Sequence, residues 1–148
     1  MEKTMKAVVT YAPGDNRYED FPFPELEDGE VLLKVKACGI CAGDLKAFHG
    51  GIRVWGTSEA DRYMEPPCIP GQFYGEVVDI KGEVPGIAIG DDVCAEQVVP
   101  CGHCHFCRTG KYWMCQRSAV FGFKKYANGG FAEYVKLPKT SLKHVLPK

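Results

Sequence analysis

Along residues 30–37 (EVLLKVKA), Val31, Leu33 and Val35 fall on one side of an extended chain, and Lys34 and Lys36 on the other. A period of two predicts a strand with one face in a core. Leu32 interrupts the alternation, so part of the second face is expected to be covered as well. Met5–Val9 is a second branched run, closed by Pro13-Gly14. Further strands are predicted over 75–80 (GEVVDI), around Cys94 between Val93 and Ala95, and over 131–137 (FAEYVKL) before Pro138. The acidic, proline-rich stretch 21–30 (FPFPELEDGE) reads as a loop. Only residues 42–49 predict a helix, with Asp44 near its start and Leu45 and Phe48 as its apolar positions. Residues 50–70 contain Gly50-Gly51, Gly56 and Pro66-Pro67 and read as irregular. Loops of that length commonly bind ligands. Trp55 and Tyr63 are candidates to line a pocket there; the alternative is a loop with its own small aromatic core. Many short strands, dense turns and little helix point to a mainly β chain, a barrel or a sandwich. No repeat period is visible.

Composition narrows the class without naming it. A chain of 148 residues is expected to form one domain with at most a small appended lobe. Eighteen basic and 19 acidic residues leave a net charge of -1, so no nucleic-acid or membrane surface is expected. There is no apolar run long enough to span a bilayer and no signal-peptide pattern at the start, which predicts a cytoplasmic protein.

Eight cysteines change the picture. Four sit in CGHCHFCRTGKYWMC (101–115), spaced C-x2-C-x2-C-x7-C. Cys101, Cys104, Cys107 and Cys115 can wrap one tetrahedral zinc ion at about 2.3 Å. Four sulfurs leave no open coordination position, so the site is expected to hold structure. Clustered spacing and a reducing compartment argue against disulfides. Bacterial iron–sulfur spacing has a shorter last gap followed by proline, whereas Gln116 follows Cys115 here. His103 and His105 read as bystanders. Arg108 and Lys111 either offset thiolate charge or are ordinary solvated bases.

Cys38 and Cys41 form a separate C-x2-C pair. The βαβ setting of a thioredoxin-like redox pair is missing around them. Cys41, near a helix start, reads either as a metal ligand or as a buried thiol. Cys38, Cys68 and Cys94 read as small core fillers.

Together these segments resemble the N-terminal, catalytic domain of the zinc-dependent medium-chain alcohol and polyol dehydrogenases. The matching pieces are GEVLLKVKACGICAGD (29–44), IPGQFYGEVVDI (69–80), IGDDV (89–93), the four-cysteine segment and GGFAEYVKLP (129–138). The resemblance covers about residues 5–140. It implies one domain over 1–148, a GroES-like β-barrel with a protruding structural-zinc lobe at about 95–120, and one structural zinc per chain. It also implies Cys41 as a ligand of the family's catalytic zinc and Asp44 as its support. Two departures stand out. Gly43 occupies the position of the family's proton-relaying Ser or Thr. Gly71-Gln72-Phe73 replaces a Gly-His-Glu segment, and Gly75 arrives one residue early.

The family's second domain binds NAD(P) through a glycine-rich fingerprint. None of the 17 glycines forms G-x-G-x-x-G, so the nucleotide-binding domain is expected to be absent from 1–148. The expected function is that of one domain of a dehydrogenase that moves hydride from a secondary alcohol to NAD(P), inactive alone. The nucleotide-binding domain is the expected partner, and a homo-oligomer is left open. The alternatives are a catalytically silent, zinc-stabilised module and an electron-transfer protein using its cysteines.

Overall fold

A computed structural model describes residues 3–142 and 145–147. The chain opens with a hairpin of β1 (Thr4–Ala12) and β2 (Asp15–Pro22). Gly14, at φ +74°, supplies the left-handed residue that the reversal after Pro13 needs. β1 alternates between buried and open positions, placing Met5, Ala7 and Val9 in the interior. β2 is a strand that the hydrophobic pattern did not predict. Its residues, DNRYEDFP, carry no apolar alternation because none of them is fully buried and Phe21 alone packs on a core cluster. Pairing with β1 holds it, through contacts such as Lys6 with Asp20 at 2.8 Å and Thr10 with Asn16 at 2.9 Å.

β3 (Val31–Gly39) and β4 (Gln72–Ile80) pair antiparallel at the centre of a five-stranded sheet. The sheet is completed by β5 (Asp92–Ala95), β8 (Tyr134–Leu137) and β9 (Val145–Pro147), in the order β8-β3-β4-β5-β9. β6 (Val98–Val99) and β7 (Ala119–Val120) form a separate two-residue clasp. Val31, Leu33, Phe73, Val77, Val93 and Val135 pack on one side of this framework as the main core. Leu32 is buried too, as its break in the alternation implied. From Lys36 onward β3 is exposed. A bulge between Val35 and Ala37 marks the change, and the bulged Lys36 is held by Glu76 and Asp92 at 2.8 and 2.7 Å.

Two short helices follow β3: α1 (Ala42–Phe48) and α2 (Ile52–Trp55). α2 is a single turn inside the stretch expected to be irregular, too short to leave a periodic trace. Trp55 is turned into the packing of its own loop and is not among the residues lining the main cleft. It is buried, its indole N–H donates to the Ala47 carbonyl at 2.6 Å, and it packs with Ala47, Val54, Met64 and Cys68. The loop therefore has the small aromatic core that stood as the alternative. Cys68 is a fully buried filler, and burial pushes its thiol up to about 12. Cys38 and Cys94 depart from the core-filler expectation. Cys38 is exposed, Cys94 is half-buried, and both stand on the wall of a cleft.

Replacing Trp55 with Phe removes a buried hydrogen bond and part of the packing, at an expected cost of about 1–3 kcal/mol. Urea unfolding should show a lower midpoint with an unchanged slope. A midpoint equal to wild type would mean that the indole does not hold the 50–65 loop.

Candidate metal centre and adjoining cleft

Residues 100–118 leave the body of the domain between β6 and β7, and the clasp closes the excursion at its base. Within it lie α3 (His105–Arg108) and a 3-10 turn (Tyr112–Met114). Short backbone bonds set its shape: Arg108 N–H to Cys104 O at 3.0 Å, Lys111 N–H to Phe106 O at 2.8 Å and Cys115 N–H to Tyr112 O at 2.9 Å. These turns return Cys115 to the cysteines of the first half. Cys101, Cys104, Cys107 and Cys115 bring their sulfurs within 4.8 Å of one another. Cys104 and Cys107 are 3.5 Å apart at Sγ, and Cys101 and Cys107 are 3.9 Å apart. Bonds of about 2.3 Å to a tetrahedral zinc imply sulfur separations of about 3.8 Å, so the donor set fits that ion.

Electrostatics within the cluster follow from crowding. Backbone N–H groups of His103 and Cys104 aim at the Cys101 sulfur and hold its thiol down, to about 6. Loss of solvation and sharing of a proton with Cys104 push Cys107 up, to about 12. Four sulfurs this close cannot all carry charge without a cation among them. His103 and His105 are exposed, and His103 Nδ1 lies 2.8 Å from the Cys101 carbonyl, so neither joins the cluster.

From Cys101 to Ser118, Cys115 alone is buried, and Trp113 and Met114 are exposed. The excursion thus has almost no apolar interior. Tyr112, donating to Glu96 at 2.5 Å, ties it to the segment before the clasp.

A cleft of about 540 Å³ opens where β3 leaves the core. The exposed ends of β3 and the start of β4 form one wall, and Phe121 and Phe123 form the other. Cys41 and Asp44 sit on its rim at the start of α1. There they make a reciprocal cap: Cys41 Sγ accepts from Gly43 N–H at 3.2 Å, and the Asp44 carboxylate accepts from Cys41 N–H at 2.7 Å. Gln72 pairs with Gly39 across β3 and β4, and Gln72 and Gln97 bring neutral amides to the cleft. Gln97, Phe121 and Phe123 were not found from the pattern, since they lie on short connections around the clasp. The apolar pair flanking Gly122 was the available signal.

The chain belongs to the alcohol dehydrogenase GroES-like domain family, whose model matches residues 27–148. An erythritol/L-threitol dehydrogenase from Mycolicibacterium smegmatis is 43% identical over 144 residues, 95% of this chain and 40% of the relative. A D-arabitol-phosphate dehydrogenase from Enterococcus avium is 34% identical over 99% of this chain and 40% of its own length. Among solved structures, an alcohol dehydrogenase from Thermus sp. ATN1 superposes with a TM-score of 0.78 at 27% identity, over 97% of this chain and 40% of the other. The chain therefore spans about two fifths of the relatives it matches. Among the described residues no helix is long and apolar enough to cross a membrane.

Zinc binding at the cluster has to displace protons, so its affinity rises with pH. Cys101, at about 6, is half ionised at pH 6 and mostly ionised by pH 7, whereas Cys107, at about 12, still has a proton to lose across the range. Chelator competition between pH 6 and 9 should therefore show steadily tighter zinc. A flat profile would count against thiolate ligation. Cys104→Ser should lose the zinc and cost at least a few kcal/mol, read as accelerated amide exchange over 101–118.

Proposed function

We propose that this chain is the substrate-side domain of a zinc-dependent alcohol or polyol dehydrogenase. The observation that carries this reading is a four-thiol cluster and a ligand-sized cleft in one GroES-like domain. Zinc, held by Cys101, Cys104, Cys107 and Cys115, would cross-link four points of a segment that has no apolar core of its own. The ion's role there is mechanical, since its four sulfurs leave no position for substrate.

The cleft volume falls within the range of small-molecule sites, about 300–1,000 Å³. Phe73, Phe121 and Phe123 offer apolar faces to a carbon chain, and Gln72 and Gln97 offer donors and acceptors to hydroxyls. A short polyol with a secondary alcohol is the substrate class that this lining and the relatives' substrates favour. In the complete enzyme the alcohol gives a hydride to NAD(P)⁺ and a proton to solvent, leaving a carbonyl and NAD(P)H. The nicotinamide belongs to a nucleotide-binding domain, because residues 1–148 carry no glycine-rich fingerprint. Residues 1–148 alone are then a silent scaffold with a substrate-side cleft. A cytoplasmic setting is part of this proposal, in keeping with eight free cysteines.

Titrating the isotope-labelled chain with erythritol or threitol should shift amides around the cleft, including Ala37, Cys41, Gln72 and Phe121. The lobe amides should stay in place. NADH and NADPH should not bind in the micromolar range by calorimetry. Nicotinamide binding by this chain, or polyol shifts clustered away from the cleft, would overturn the assignment.

A further inference from the structure

Family resemblance places a catalytic zinc in the cleft beside Cys41, and the donor set there does not fit one. Such an ion takes three protein ligands of thiolate, imidazole or carboxylate type and keeps one position open. Among the described residues, groups of that kind converge in threes or more at the lobe and nowhere else. The cleft does contain Cys38, Cys41, Cys94 and Asp44. Its architecture keeps them apart. Cys38 stands on β3 opposite Phe73, and Cys94 stands on β5 opposite Tyr74. With β4 between them, their backbones are roughly 10 Å apart, two strand spacings.

The remaining two groups are committed locally. The Asp44 carboxylate accepts the Cys41 amide, and the Cys41 sulfur accepts the Gly43 amide. Among the described residues no imidazole lines the cleft. His49 ends α1 and is exposed, His103 and His105 belong to the lobe, and His144 lies outside the described residues. The position of the family's histidine ligand is taken by Gln72. Its amide oxygen would lie 3.5 Å from a methyl placed on Gly39, so it rests over the turn that leads into Cys41. A neutral carbonyl oxygen adds no charge to offset a divalent ion, and the facing walls are phenylalanine. One thiolate would leave the ion undercompensated in an apolar setting, which is unfavourable.

We infer that the cleft of this chain carries no resident zinc, and that Cys41 and Asp44 act there as the cap of α1. The inference rests on the family reading for what the cleft would otherwise hold, and it is independent of the lobe. Together with the lobe reading it predicts one zinc per chain, all of it dependent on the lobe cysteines; by itself it predicts none that depends on Cys41.

The test is metal analysis of the full chain, expressed in zinc-supplemented medium, as wild type, Cys41→Ser and Cys104→Ser. Serine keeps an oxygen acceptor at the cap, so Cys41→Ser is expected to fold. The expected result is one equivalent in wild type and in Cys41→Ser, and none in Cys104→Ser. Two equivalents in wild type, or any loss of zinc from folded Cys41→Ser, overturns the inference. A wild type with no zinc refutes the lobe reading and leaves the cleft inference standing. If Cys41→Ser does not fold, cobalt(II) titration of wild type decides the matter. Saturation of the thiolate-to-cobalt absorption at one equivalent supports it, and a second step with new thiolate bands overturns it.

Discussion

The pairing of β3 with β4 is the constraint on which the rest of the domain depends. Both are nine-residue strands at the centre of the sheet, and their register runs from Val31 opposite Ile80 to Gly39 opposite Gln72. At one end the pair buries Val31, Leu33 and Val77. At the other end, beyond the bulge at Lys36, the same two strands run out past the core and become a cleft wall. A one-residue slip would turn the core face outward and move Gln72 away from Gly39. Core and cleft are therefore two ends of one hydrogen-bonded ladder. Gly75 makes close pairing possible at the bulge, where a Cβ would stand 2.5 Å from the Lys34 carbonyl.

The lobe follows the opposite logic. The body of the domain is held by apolar burial distributed over many strands. The excursion between β6 and β7 buries little, and a clasp of two residues on each side closes it. What it has is four sulfurs at metal-bonding separations and a few turns that set them there. Ligand binding of that kind is folding free energy for a segment that cannot build a core. The separation also explains the exposed Trp113 and Met114, since the lobe has no interior in which to place them.

Legibility in the sequence tracked the physical origin of each element. β3 and β4 were readable because one face of each is buried, and the lobe cysteines because metal geometry restricts their spacing. β2 was not, because a strand held mainly by its hairpin partner, with Phe21 its one residue packed on a core cluster, shows no hydrophobic alternation. α2 was hidden for a different reason: one helical turn is shorter than the period that would reveal it. The sequence suggested Trp55 for the ligand pocket because aromatic residues in a long loop serve both roles, and only packing separates them. Cys38 and Cys94 looked like core fillers since a small apolar residue in a strand is usually buried. The bulge at Lys36 and the early end of the core on β3 reversed that for Cys38, and neither leaves a mark in composition.

Cys41 and Asp44 illustrate how one motif can serve two different jobs. A helix start leaves backbone N–H groups without partners, and a side-chain acceptor at the cap with a carboxylate three residues on satisfies two of them. Cys41 and Asp44 have that spacing, and both bonds are formed. The same pair is the one that family resemblance assigns to the metal. Its presence therefore distinguishes nothing by itself, because α1 needs it with or without an ion. The discriminating position is Gln72. No helix cap, core contact or turn requires an amide rather than an imidazole at the exposed first residue of β4. Its identity is free to report the chemistry of the cleft, and a neutral amide there suits hydroxyl recognition better than zinc ligation.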